Sequence, residues 1–114
     1  MQLQEISRFT DRVAETAEFY ETLLDAEPLF EDESVAMLDA DGLTLLIHER
    51  YEPDDGELPA EDHVGFGVAA LDDRVKELAA AGLEVEREPT DYDWGRSAFL
   101  RDPAGNLIEL KESR

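Results

Sequence analysis

Cysteine is absent from this 114-residue chain, which excludes a disulfide framework, thiolate catalysis and any Cys-based zinc or iron–sulfur site. Positive charge is scarce: 10 Lys and Arg against 30 Asp and Glu leave a formal charge of −20. Such a surface repels phosphate and offers no counterion release to DNA or RNA. No apolar run approaches the roughly 18 residues of a membrane-spanning helix. Nor does Met1 to Thr10 show a basic patch followed by an apolar run. These absences point to a cytoplasmic protein with no nucleic-acid and no membrane partner. Metal chemistry must draw on carboxylates and on His48 and His63.

What is present is enough for one core: 42% of the residues are hydrophobic, spread along a length that suits a single domain. The acids lie in every segment, and Lys occurs only at Lys76 and Lys111. This resembles the surface of a salt-in halophile's protein. The charges repel one another in dilute buffer and are screened at molar salt, where the Debye length is about 3 Å. An ordinary acidic protein is the alternative.

Hydrophobic periodicity divides the chain into two similar halves. Leu3 to Thr10 reads as a strand. Val13 to Leu24 reads as an amphipathic helix, with Val13, Ala17, Tyr20, Leu23 and Leu24 at helical spacing and Asp11 near its cap. Pro28 to Phe30, Val35 to Leu38 and Leu43 to His48 read as three short strands, the last two joined at Asp39–Gly42. Arg50 to Asp62, with Pro53, Gly56 and Pro59, is a linker. The pattern then restarts with a strand at His63 to Val68, a helix at Leu71 to Ala81 stopped by Gly82, and strands at Leu83 to Arg87, Ser97 to Arg101 and Asn106 to Lys111. Each half is βαβββ, an internal duplication in which neither half can cover its sheet alone. The expected organisation is one domain over residues 1–114, with module one at 1–50, a linker at 51–61 and module two at 62–114.

Four stretches carry a resemblance: Ala17 to Glu21 with Leu23 and Leu24, Asp62 to Val68, Trp94–Gly95, and Phe99 to Leu110 with its Asp102-Pro-Ala-Gly turn. On these the chain resembles, over nearly its whole length, the vicinal oxygen chelate superfamily of glyoxalases, bleomycin resistance proteins and extradiol dioxygenases. The resemblance implies an α+β fold in which two βαβββ modules form a curved eight-stranded mixed sheet around a cavity. It also implies metal ligands on strands one, four, five and eight. These positions fall on Glu5, or Gln4 if the register slips by one, on Leu45, on His63 and on Glu109. Leu45 cannot coordinate, so a four-ligand nickel or zinc glyoxalase site is not intact.

Glu5, His63 and Glu109 remain as a one-His, two-carboxylate set for a divalent metal, with Mn, Fe, Ni, Zn and Mg all open and the harder ions suiting the oxygen donors. Glu109 or His48 would then move the proton. Read structurally, Glu5 is a strand residue, His63 a hydrogen-bonded edge histidine, Glu109 a cavity-wall acid and His48 a strand-end residue. Phe9, on the face of Glu5 and Ser7 by alternation, would line the cavity, and Arg8 would then face the helix. Tyr92, Trp94 and Arg96 lie in a loop before strand seven. They would stack on and pair with a planar substrate; otherwise Trp94 packs under the loop and Arg96 pairs with a neighbouring acid.

Two functions follow from the resemblance. One is a small lyase- or dioxygenase-like enzyme whose metal binds vicinal oxygens of a small-molecule substrate. The other is a metal-free binder of the bleomycin-resistance type, with Tyr92 and Trp94 as walls for a cationic ligand. A homodimer is expected in either case.

Overall fold

A computed structural model describes residues 1–113. Their elements run β1 (Gln2–Thr10), α1 (Val13–Leu24), β2 (Pro28–Glu31), β3 (Val35–Ala40), β4 (Leu43–Glu49), β5 (His63–Val68), α2 (Leu71–Ala80), β6 (Val85–Tyr92), β7 (Gly95–Arg101) and β8 (Leu107–Glu112). This is the duplicated βαβββ pattern, an α+β fold with a mixed sheet. Two compact units divide it, and β1 contributes to both: Glu5–Asp62 form one, and Met1–Gln4 with residues 63 onward form the other. Hydrogen-bonded order is β2-β3-β4-β1 in the first and, from the opening residues of β1, β5-β8-β7-β6 in the second.

In the first unit β1 pairs parallel with β4, Glu5 opposite Thr44 and Ser7 opposite Leu46, while β3 runs antiparallel to β4. Helix α1 covers one sheet face, packing Val13 and Ala17 on Ala36, Leu38, Leu45 and Ile47, with Ile6 and Tyr20 alongside. The expected Asp11 cap is not formed. The Arg12 N–H donates to Thr10 Oγ1 at 3.0 Å instead, and Asp11 pairs with Arg50 at 3.1 Å.

In the second unit β5 pairs parallel with β8, and β7 is antiparallel to β8 and β6. Helix α2 covers Val68, Ala98, Leu100 and Leu110 with Leu71 and Val75. Gly82, at φ +100°, turns the chain out of α2, a conformation that suits a residue without Cβ. Strand β6 departs from expectation, extending to Tyr92 with a register shift between Arg87 and Thr90. Pro89 sits in that shift; an edge strand tolerates proline because one side needs no ladder hydrogen bond. The expected loop before strand seven is therefore a tight hairpin, Tyr92 opposite Gly95 and Asp91 opposite Arg96.

Candidate functional site

Strand alternation sorts the side chains onto two faces. In the second unit Ala98, Leu100 and Leu110 lie against α2. Ser97, Phe99 and Glu109 consequently fall on the other face, as does His63, whose ring meets Phe99 edge-on at 6.2 Å. Glu109 is only 3% exposed, and its two oxygens have different partners. Oε1 lies 3.4 Å from His63 Nε2, and Oε2 accepts the Ser97 hydroxyl at 2.9 Å. Burial alone would raise the carboxyl pKa, but the His63 hydrogen bond, the Lys111 charge and the Ser97 hydroxyl outweigh it and hold Glu109 below the ordinary glutamate value. Gly65, opposite Glu109 in the ladder, brings no side chain to this spot.

In the first unit the buried acid is Glu5, 6% exposed, which accepts the hydroxyl of the fully buried Ser7 at 3.3 Å. The internal repeat settles which residue of β1 corresponds to His63. His63 precedes the first residue of α2 by eight positions (71 − 63), and Glu5 precedes the first residue of α1 by the same eight (13 − 5). Gln4 is exposed, and its amide occupies the space a Cβ on Gly67 would fill. Arg8, on the face of Ile6, does not burden the core: it reaches Asp62 at 3.2 Å, and Asp62 also accepts the Phe9 N–H at 2.7 Å.

The same repeat corrects the strand-four position. Glu109 stands opposite Gly65, two residues after His63; the equivalent residue in the first unit stands opposite Ser7, two after Glu5, and is Leu46. Leu45 is in the helix-side core. Both are leucine, so the strand-four position holds no ligating side chain whichever is counted.

Phe9 and His48 are opposite each other on the Glu5 face, rings 5.3 Å apart, with Tyr51 meeting both edge-on. Tyr51 also donates its hydroxyl to Leu58 O at 2.7 Å, closing the 50–62 segment on itself. His48 Nδ1 lies 2.7 Å from the Glu49 carbonyl, which only accepts, so the neutral ring carries its proton there and leaves Nε2 as the basic nitrogen. Four residues of strand separate this level from Glu5, about 13 Å. The structure thus puts His48 with Phe9 at the far end of the strand, away from the buried acid.

At the β6–β7 tip Tyr92 and Trp94 stack in parallel, centroids 4.6 Å apart, and Tyr92 meets Phe99 edge-on at 6.2 Å. The Trp94 indole N–H donates to Ser97 Oγ at 3.4 Å, joining the exposed tryptophan to the hydroxyl that holds Glu109. Arg96 turns the other way, toward α2. Its guanidinium binds both Asp72 oxygens at 2.8 and 3.0 Å and Asp91 at 3.0 Å, and these partners raise its pKa.

Ser7, Ser97, Tyr51 and Leu46 were not visible as site residues. Ser97 left a trace, a lone hydroxyl opening the apolar run Ser97 to Leu100. A buried hydroxyl in such a strand needs a partner.

Solved structures share this fold of two helices and an eight-stranded mixed sheet. A hypothetical protein from Bacillus halodurans C-125 matches with TM-score 0.79 at 22% identity, covering 99% of this chain and 94% of that one. Methylmalonyl-CoA epimerase from Mycobacterium tuberculosis matches at 0.75 and 18%, covering 99% and 88%. An uncharacterized protein of Mycolicibacterium smegmatis is 31% identical over 97 residues, 85% of this chain and 81% of its own length. The chain belongs to the Glyoxalase/Bleomycin resistance protein/Dioxygenase superfamily, whose family model matches residues 2–110.

Proposed function

We propose that the protein is a divalent-metal-dependent enzyme that binds a small substrate through two adjacent oxygens and moves a proton on it, with His63 and Glu109 as ligands. The observation that carries this reading is the His63–Glu109 pair. An imidazole nitrogen and a carboxylate oxygen 3.4 Å apart, both nearly shielded from water, have a spacing that two ligand atoms each about 2.1 Å from one cation also have. Buried carboxylates such as Glu5 and Glu109 are costly unless a cation or hydrogen bonds compensate them. An imidazole with a carboxylate suits Mn²⁺, Fe²⁺ or Mg²⁺.

A bound metal of this kind supplies a positive centre for vicinal oxygens and stabilises the negative charge that develops on them. The chain's own residues do the rest. Ser97 fixes Glu109 Oε2 and so limits how the carboxylate can turn. His63 faces Oε1. Glu109, kept ionised by these partners, is the group that takes and returns the proton. His48 stands opposite Phe9, about 13 Å along the strand from Glu5, and takes no part in the proton transfer.

The Tyr92–Trp94 stack, with Trp94 53% exposed, favours a second reading as a metal-free binder of a planar or cationic small molecule. One experiment separates the two. Protein purified without chelator at molar salt is analysed for metal and titrated calorimetrically with Mn²⁺. One ion per chain, lost in His63→Ala and Glu109→Gln, is expected. Protein that stays metal-free after incubation with Mn²⁺, Fe²⁺, Ni²⁺ and Zn²⁺ overturns the enzyme reading in favour of the binder.

A further inference from the structure

Trp94 is the chain's single tryptophan. Its ring is exposed, yet its N–H is turned to Ser97, which is fully buried. The two-residue turn at Asp93 and Trp94 brings this about. Tyr92 pairs with Gly95 across the turn, and Gly95 leaves it at φ +138°, a backbone that suits a residue without Cβ. The indole then lies flat on Tyr92, whose ring Phe99 braces edge-on, while Phe99 meets His63 in the same manner. All of these residues, with Ser97 and Glu109, belong to the second unit. An indole N–H only donates and a carboxylate only accepts, so the hydroxyl between them has one arrangement. Ser97 Oγ accepts from Trp94 at 3.4 Å and gives its own proton to Glu109 Oε2 at 2.9 Å.

We infer that Trp94 is a positioning residue, which acts through the Ser97 hydroxyl to fix the Glu109 carboxylate from the protein surface. The direction of the two hydrogen bonds makes the argument. A hydroxyl is a rotor, and a donor aimed at its oxygen leaves its proton the other side, where Glu109 lies. Hydrogen bonds in such a chain polarise one another, so the indole strengthens the bond that Ser97 makes. The bond to Glu109 is charge-assisted and the shorter of the two, whereas the bond from Trp94 joins neutral groups and is the weaker. Trp94 therefore tunes the carboxylate, and Ser97 holds it. The Tyr92 stack serves the same end by restraining the plane in which the indole N–H points. A tryptophan that merely packed would need its ring alone; here the nitrogen is what counts. The effect on metal affinity rests on the proposed function, and the hydrogen-bond chain itself does not.

The single tryptophan gives one indole N–H signal in a ¹H–¹⁵N NMR spectrum, and that signal with Mn²⁺ calorimetry tests the inference. In chelator, the signal should move toward the free-indole position in Glu109→Gln, whose neutral oxygen draws less on the Ser97 proton, and further in Ser97→Ala. A signal that stays in place in both variants overturns the inference. In the Mn²⁺ titration, Ser97→Ala should weaken binding on the order of 10-fold, and Trp94→Phe, which keeps a ring on Tyr92 and removes the N–H, by about 3-fold. The double variant should bind no more weakly than Ser97→Ala alone, because the indole acts only through the hydroxyl. Parent-like affinity in Trp94→Phe, or losses that multiply in the double variant, also overturn the inference. Trp94→Phe changes an exposed ring and Glu109→Gln keeps the side-chain shape, so both readings remain if Ser97→Ala does not fold. A parent that binds no Mn²⁺ overturns the proposed function, and the indole signal then decides the hydrogen-bond chain by itself.

Discussion

Glu109 is a carboxylate placed among strand residues that are otherwise apolar, and two neighbours determine its state. Ser97 and His63 each take one oxygen, and with Lys111 they hold its pKa below the ordinary value of 4.5 against the opposing effect of burial. A carboxyl depressed in the folded state stabilises the protein fully above its unfolded pKa, and that contribution is lost as pH falls through the folded value. The stability difference between parent and Glu109→Gln, measured by urea unfolding in chelator, should therefore be constant from pH 7 to about 5 and shrink in favour of the variant between about pH 4.5 and 3. A difference unchanged down to pH 3 would show that Glu109 is not held in its ionised form. The residue itself was legible through the family resemblance, which puts a ligand position of strand eight on Glu109. Its serine was not, since a single hydroxyl in a strand says nothing about which of many acids it meets across the ladder.

At the scale of the element, alternation decides more than residue type. Leu45 and Leu46 are adjacent and chemically identical, yet Leu45 joins the α1 core while Leu46 stands opposite Ser7 on the other face. Leu45→Ala should cost about 2–5 kcal/mol, the range for a truncated core leucine, and Leu46→Ala less than half as much, as denaturant midpoints would show. Reversed costs would mean that β4 is out by one residue. The helices and β5 were readable to within a residue because their apolar spacing runs long. Strand four was readable in extent and not in register: Leu45 to Ile47 is an unbroken apolar run, so period 2 is invisible within it. Strand β6 was obscured by Pro89, which local reasoning takes as a strand's end and an edge position allows. Arg96 shows the same effect at the hairpin: the shift in β6 and the short turn direct it to α2, where Asp72 and Asp91 bind it, whereas Tyr92 and Trp94 stay on the face of Ser97.

Over the whole molecule the charge of −20 acts through solvent. Its carboxylates are mostly exposed, and where they find cations the pairs are themselves exposed, as at Arg8–Asp62 and Arg74–Glu77. Such pairs contribute little to stability, so repulsion dominates the balance until salt screens it. Raising KCl from 0.1 to 2 M shortens the Debye length from about 10 Å to below 3 Å. The thermal midpoint should rise steeply over that range and self-association should strengthen, both readable by scanning calorimetry and sedimentation. A midpoint that is flat in KCl would mean that the acids are spaced widely enough not to matter. This expectation rests on composition, because it depends on how many charges there are and hardly on where they sit.

The inequality between the two repeats, glutamate at 109 and leucine at 46, reaches beyond binding. A duplicated gene begins with two copies of every reactive group, and symmetry makes each change count twice. Here one half carries an acid at this position and the other a leucine. The Ser97–Glu109–His63 arrangement lies wholly in the second unit, so its effects and those of substitutions in residues 5–62 can be read separately.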